Sequence, residues 1–176
     1  MSERERMEAG ALYRFAGDAE LMAMGARSRR LTRQYNATRE DEGDRRRALL
    51  EELFGSVGEG AHVEPPLHCD YGCNVHAGAR FFANFGLIVL DECRVAIGDD
   101  VMIGPRVSLC CAGHPIDAAV RTSGLEYGKP ARFATRKRKE TKSDRERAAR
   151  QNGQGRPSGS AQRRRYPSAS AATALK

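Results

Sequence analysis

A chain of 176 residues, 40% hydrophobic but only 6% aromatic and without Trp, is long enough for one domain whose core is built from small aliphatics. Its formal charge of +7 is unevenly held: residues 1–130 carry 16 Lys and Arg against 20 Asp and Glu, while residues 131–176 carry 14 against 3. Net charge therefore argues for a polyanion partner only at residues 131–176, and excludes a basic, nucleic-acid-type surface on the part that folds. The opening "MSERERMEAG" has no apolar stretch of the secretory kind, and no run approaches the roughly 20 apolar residues of a membrane helix, so a cytoplasmic protein is expected.

Residues 3–55 carry helical patterning. "ERERMEAGALYRF" mixes charge with Met7, Leu12 and Tyr13 and is interrupted at Gly10 and at "AGD". A second helix is expected behind Asp18 as N-cap, with Leu21, Met22, Met24 and Leu31 on its pattern. A third is expected behind Thr38 or Asp41, with Leu49, Leu50, Leu53 and Phe54 at helical spacing and Gly55 as its C-cap.

From Val63 the period becomes six. Val63, Cys69, Val75, Phe81 and Leu87 form one row; Ala77, Ala83, Val89, Val95, Val101 and Val107 form another; Ile97, Ile103 and Leu109 a third. Neither a helix period of 3.6 nor a strand period of 2 yields this. A hexad repeat marks a left-handed parallel β-helix, in which each hexad supplies a short strand and a corner, and three hexads close a triangular coil. One compact aliphatic per hexad is expected to fill the prism. Gly98 and Gly104 are expected where corners need unusual backbone angles. Asp91 interrupts an inward-type row of Phe85, Asp91, Ile97, Ile103 and Leu109, and a carboxylate there needs a partner. From sequence, a corner Asp satisfying backbone amides stands beside a site role for it.

"CCAGHPIDAAVRTSGLEYGKP" then leaves the repeat as a loop, with Pro115 unable to donate to a ladder. After Pro130 the hexads are not resumed. Residues 131–176, rich in Arg, Ser, Gly and Ala, lack the apolar content to offset ordering entropy and are expected to be a disordered basic tail. The five cysteines (Cys69, Cys73, Cys93, Cys110 and Cys111) are odd in number and at no metal-ligand spacing, so they are expected to be reduced, mostly buried small hydrophobes, with no metal.

The expected architecture is thus mainly β, a left-handed parallel β-helix over 58–130 behind a helical segment at 3–57, with 131–176 as tail. The motifs "CDYG", "FFANF", "IGDDVMIGP" and "GHPID", read together over residues 3–130, resemble the maltose and galactoside O-acetyltransferases of the hexapeptide-repeat acyltransferase superfamily. That resemblance implies a homotrimer with active sites between neighbouring subunits, acetyl-CoA as donor and a sugar hydroxyl as acceptor. It implies that His114 of "GHP" is the general base. Asn84 and Asp91 are implied to line the acceptor pocket and hold the base. Phe82 stands where the family pattern has Tyr, and Glu126 lies in a loop that touches the acceptor. Asp70 and Tyr71 are motif residues that could be structural. The family's further coils after "GKP", which supply much of its coenzyme A groove, have no counterpart in residues 131–176, so donor-binding residues are left unassigned. For the tail, out-of-frame translation, a basic arm for nucleic acid and a shortened, non-enzymatic trimerisation module all stand as readings.

Overall fold

Residues 1–135 are described by the structure, a computed structural model. The first helix, α1 (Glu3–Glu8), begins with a reciprocal cap: Ser2 Oγ accepts from the Glu5 amide at 3.1 Å, and Glu5 Oε2 accepts from the Ser2 amide at 2.7 Å. Helix α2 (Ala19–Asn36) starts at Asp18, as the sequence predicts, with Oδ1 accepting from the Leu21 amide at 2.9 Å. The start of α3 (Gly43–Leu53) differs from expectation. Glu42 holds the cap position but its side chain caps no helix amide, accepting instead from the Arg39 amide at 2.7 Å, while the Thr38 hydroxyl donates back to the Tyr35 carbonyl at 2.7 Å. Gly55 is not a C-cap either. A Cβ there would lie 2.3 Å from the Cys73 carbonyl oxygen, so glycine lets the first coil approach.

Three coils follow. The first holds β1 (Ser56–Val57), β2 (His62–Val63) and β3 (Leu67–Cys69). The second holds β4 (Val75–Ala77), β5 (Phe82–Ala83) and β6 (Leu87–Leu90). The third holds β7 (Val95–Ile97), β8 (Met102–Ile103) and β9 (Ser108–Cys110). Like strands stack in parallel into three faces: β1, β4 and β7 on the first, β2, β5 and β8 on the second, β3, β6 and β9 on the third. Ser56 faces His76, His62 faces Phe82 and Leu67 faces Leu87, a step of 20 residues rather than the 18 of three hexads. The two extra residues lie at the corner from third face to first, in "CDYGCN" and "LDECR".

That insertion corrects the rows. From Val75 to Ile103 two residues of each hexad are buried, not one: Val75 and Ala77, Phe81 and Ala83, Leu87 and Val89, Val95 and Ile97, Val101 and Ile103. Ala77, Ala83 and Val89 occupy the second inward position, whereas Val95 and Val101 occupy the first. A strict count of six therefore switches position on crossing Asp91–Glu92. Phe85 is no core residue; it sits at a corner, 54% exposed. Burying each aliphatic stabilises the prism by roughly 1.5–3 kcal/mol.

Gly98 and Gly104 do not supply the unusual corner angles, which fall instead on Gly60 and Gly86 and on three non-glycine residues. Positive φ falls on Arg80, Asp100 and Arg106, two residues after Gly78, Gly98 and Gly104. Gly58 and Gly78 are required by contact instead. A Cβ on Gly58 would meet Ala79 N at 2.3 Å, and one on Gly78 would meet Gly98 C at 2.5 Å.

The helices close the open edge of the first coil. The Asn36 side chain imitates a neighbouring strand, donating to the Leu67 carbonyl at 2.9 Å and accepting from its amide at 2.8 Å. The Tyr35 hydroxyl donates to the Val63 carbonyl. Leu31, Tyr35, Leu50, Leu53 and Phe54 join the coil aliphatics in one core. After β9 the chain makes an excursion. Strand β10 (Ala112–Gly113) pairs antiparallel with β11 (Tyr127–Gly128), and α4 (Ala118–Thr122) lies between them, where the sequence predicted only loop. The coil then resumes past Pro130: β12 (Ala131–Phe133) stacks on β7, with Ala131 opposite Val95 and Phe133 opposite Ile97. Ala131 and Phe133 take the two inward positions, both half-buried against the core, with Arg132 outward. The expected disordered tail beyond this strand lies outside the described residues. All five cysteines are free; Cys93 and Cys111 are buried, Cys69 and Cys73 half-buried, and Cys110 is exposed, against expectation for that one. Among the described residues no helix is long and apolar enough to cross a membrane, and no group of His, Cys, Asp and Glu is arranged to hold a metal ion.

Candidate active site

The corner between third and first faces carries an unusual density of acids. In the first coil it supplies Asp70 and Tyr71, in the second Asp91 and Glu92, and above them the excursion brings down Glu126. Asp91 is fully buried. Its Oδ1 accepts from the Tyr71 amide at 2.9 Å and its Oδ2 from the Asn74 amide at 3.3 Å, while Asn74 Nδ2 donates to the Asp91 carbonyl at 2.7 Å. Burial pushes its carboxyl up to about 6, opposed by the amides of Tyr71, Gly72 and Asn74. Asp91 is thus the amide-satisfying corner Asp. With no exposed surface, it touches a site only through the turn it holds.

Glu92, which sequence reasoning missed, faces the other way. A pocket of about 200 Å³ is lined by it together with Asp70, Tyr71, Glu126, Phe15 and Arg29, with Gly25 of α2 beneath. Glu92 is only 8% exposed, and its Oε2 has no hydrogen-bond partner among the described residues. Burial first, and then the nearby Glu126 carboxylate, raise its carboxyl far above the ordinary range. Asp70 is also raised, by burial and then Glu126, with Arg29 pulling the other way. The Tyr13 hydroxyl donates to Glu126 Oε2 at 3.4 Å, and burial lifts both the Tyr13 and Tyr71 phenols well above their usual value. Glu126 is fixed by its backbone as well: Tyr13 and Glu126 exchange amide–carbonyl bonds at 3.0 Å in both directions. Such a pocket, with acceptor oxygens on several sides and aromatic rings between, suits a small molecule rich in hydroxyls.

His114 lies at the mouth of the β10–β11 hairpin. Gly113 pairs with Tyr127, so the next step in register sets His114 opposite Glu126. The imidazole is exposed and receives no hydrogen bond among the described residues. Asn84 and Phe82 lie elsewhere. Asn84 follows β5 at the corner, its Oδ1 accepting from the Phe85 amide at 2.8 Å, and Phe82 stacks on His62 with ring centroids 5.9 Å apart. The whole third face separates that corner from the excursion. A strand such as the four-residue β6 spans about 13 Å. One chain therefore brings His114 and Glu126 together but not His114 and Asn84.

Residues 6–58 match the maltose acetyltransferase hexapeptide capping motif, the segment that here closes the first coil. A solved maltose O-acetyltransferase from Clostridium difficile 630 is 48% identical, with a TM-score of 0.72 over 74% of this chain and 69% of that one. The chain belongs to the maltose/galactoside O-acetyltransferase family. A galactoside acetyltransferase solved in complex with coenzyme A is 38% identical, with a TM-score of 0.70 over 74% of this chain and 64% of its own. Nodulation protein L of Rhizobium meliloti (strain 1021) is 41% identical over 135 residues, which make up 75% of this chain and 72% of that protein. These hexapeptide-repeat relatives bear out the β-helix architecture. Against these three the chain spans about two thirds of its relatives' length.

Proposed function

We propose that this family member transfers the acetyl group of acetyl-CoA to a hydroxyl of a sugar acceptor of the maltose, glucose or galactoside kind, with His114 as general base. The imidazole takes the acceptor O–H proton. The oxygen attacks the thioester carbonyl, the C–S bond breaks, and the imidazolium returns the proton to the departing thiolate. His114 is exposed and free of structural bonds, as a base that must meet substrate has to be. No metal enters the reaction, and acetyl-CoA is a co-substrate.

The observation that carries the acceptor assignment is the unpartnered Glu92 Oε2 in a small pocket walled by Asp70 and Glu126. A buried polar oxygen without a partner is costly, and a sugar hydroxyl, which both donates and accepts, supplies one. Glu126 and Glu92 thus bind the acceptor, and Asp91 positions the Tyr71–Asn74 turn. Asn84 and Phe82, a face away, serve the His114 of a neighbouring copy, which fits a homotrimer with shared sites. The left-handed sense of the coil, the division into a helical segment at 3–57 and coils at 58–130, and a cytoplasmic setting belong to the same reading.

The test is thiol release from acetyl-CoA with maltose, glucose and galactosides, run beside His114→Ala and with particle mass followed by light scattering. Acceptor-dependent release that His114→Ala abolishes, from a trimer, is the expected result. Folded protein that releases no thiol with any acceptor, or releases it equally without His114, overturns the assignment.

A further inference from the structure

The outer side of the first face carries a polar cluster that the acetyl-transfer reading does not use. Ser56, His76, Ala96 and Arg132 stack outward in register on β1, β4, β7 and β12. They line, with Arg94, a groove of about 580 Å³ floored by Gly78 and Gly98. Ala96 stands between His76 and Arg132, two strand spacings or about 10 Å apart, so its missing bulk opens a notch between the imidazole and the guanidinium.

The hydrogen bonds fix what the cluster can do. Arg94 Nη1 lies 3.0 Å from His76 Nε2, and Ser56 Oγ lies 3.1 Å from His76 Nδ1. A guanidinium only donates, so Nε2 must be the acceptor, and the neutral ring carries its proton on Nδ1. Nδ1–H then donates to Ser56 Oγ. The histidine cannot take the serine's proton, so the pair is no nucleophilic dyad. What remain are the unused N–H groups of Arg94 and Arg132. Burial and the Arg94 charge both lower the His76 value, which keeps the ring neutral. No carboxylate is among the described residues lining the groove, and neither guanidinium forms an ion pair among them.

We propose that this notch binds a phosphate group, held by the Arg94 and Arg132 guanidiniums, with neutral His76 orienting Arg94 and Ser56 bracing the imidazole from its far side. Two guanidiniums flanking the gap at Ala96 match the several oxygens of a phosphate. The proposal does not rest on acetyl transfer, since phosphate binding is measured without turnover. The phosphate could come from the 3′-phosphate of coenzyme A or from a separate phosphorylated molecule.

The test is calorimetric titration of the full chain with orthophosphate, coenzyme A and dephospho-coenzyme A, the last lacking the 3′-phosphate. Arg94→Gln and Arg132→Gln should each weaken orthophosphate about tenfold or more, and Ser56→Ala, which acts only through His76, by about twofold or less, with unchanged melting temperature because these side chains are exposed. Coenzyme A that competes with orthophosphate where dephospho-coenzyme A does not assigns the site to the co-substrate. Competition by neither, with orthophosphate still sensitive to Arg94, assigns it to another phosphorylated molecule. No saturable orthophosphate binding, or binding indifferent to both arginines, overturns the proposal.

Discussion

Replacing Asp91 with Ala separates the two opposed effects acting on one buried carboxylate. The side chain holds the Tyr71 and Asn74 amides at 2.9 and 3.3 Å, and Ala leaves both without a partner. Each orphaned buried amide costs about 1–3 kcal/mol, so the variant should be roughly 2–6 kcal/mol less stable where Asp91 is protonated. Ionising the wild-type group works against the fold, because its value is raised from 3.8 to about 6. The sign follows from proton binding. Between those values the folded state holds more protons than the unfolded, so wild-type stability falls as pH rises and levels off above about 6. Some two units at 1.36 kcal/mol each give roughly 3 kcal/mol at most. The deficit of Asp91→Ala should therefore be largest below pH 4 and shrink by up to about 3 kcal/mol by pH 7. Urea unfolding of both proteins at pH 4, 5.5 and 7.5 measures it, the difference cancelling the other acids. A deficit that grows with pH would refute the reasoning, since the amides would then favour the anion by more than burial opposes it.

Glu92→Gln should stabilise the fold, because the raised carboxyl loses stability as pH climbs above its ordinary value of 4.5. The same urea series should show little gain at pH 4 and about 1–2 kcal/mol at pH 8, together with a raised KM for the acceptor. His114→Ala should lower acetyl transfer by about 10²–10⁴-fold while leaving the thermal midpoint in place, as scanning calorimetry would show. Gly58→Ala and Gly104→Ala should part company. The first places a Cβ 2.3 Å from backbone and should cost about 3 kcal/mol or more, whereas the second meets nothing within 4 Å and should be neutral or slightly stabilising by denaturant titration.

The repeat was legible because the prism is filled mostly by compact aliphatics, with Phe81 the large exception, and Val95, Val101 and Ile103 are confined to it at fixed spacing. The coil's true length was not, because the two added residues at "LDECR" let one inward row run on into the other without a visible break. The same slip hid Glu92. Counting by six made Asp91 the residue out of place, yet which corner acid turns inward and which faces the pocket depends on the amides of Tyr71 and Asn74 one coil earlier. His114 and Glu126 stood out through their motifs. Their adjacency needed the β10–β11 pairing, which two-residue strands scarcely announce. Asn36 carried no signal at all, because a side chain that imitates a strand edge has no composition of its own.

One corner of the prism accumulates the chemistry, and the fold offers a reason. A corner closed in the minimum number of residues has no side chain to spare, since its neighbours are committed to the strands. The corner from third face to first alone is two residues longer, and in successive coils it yields Asp70 with Tyr71, then Asp91 with Glu92, then the excursion bearing His114 and Glu126. In the second of these, one added acid is turned inward to hold the turn and the other is left facing the pocket. Anchor and site group are thus adjacent in sequence and opposite in direction, so the alanine at 91 should disturb acceptor binding as well as stability. If Asp91→Ala lowered stability yet left the acceptor KM and the pH profile of transfer unchanged, the turn would be a structural tie alone, and Glu92 would owe its position to the coil rather than to its neighbour.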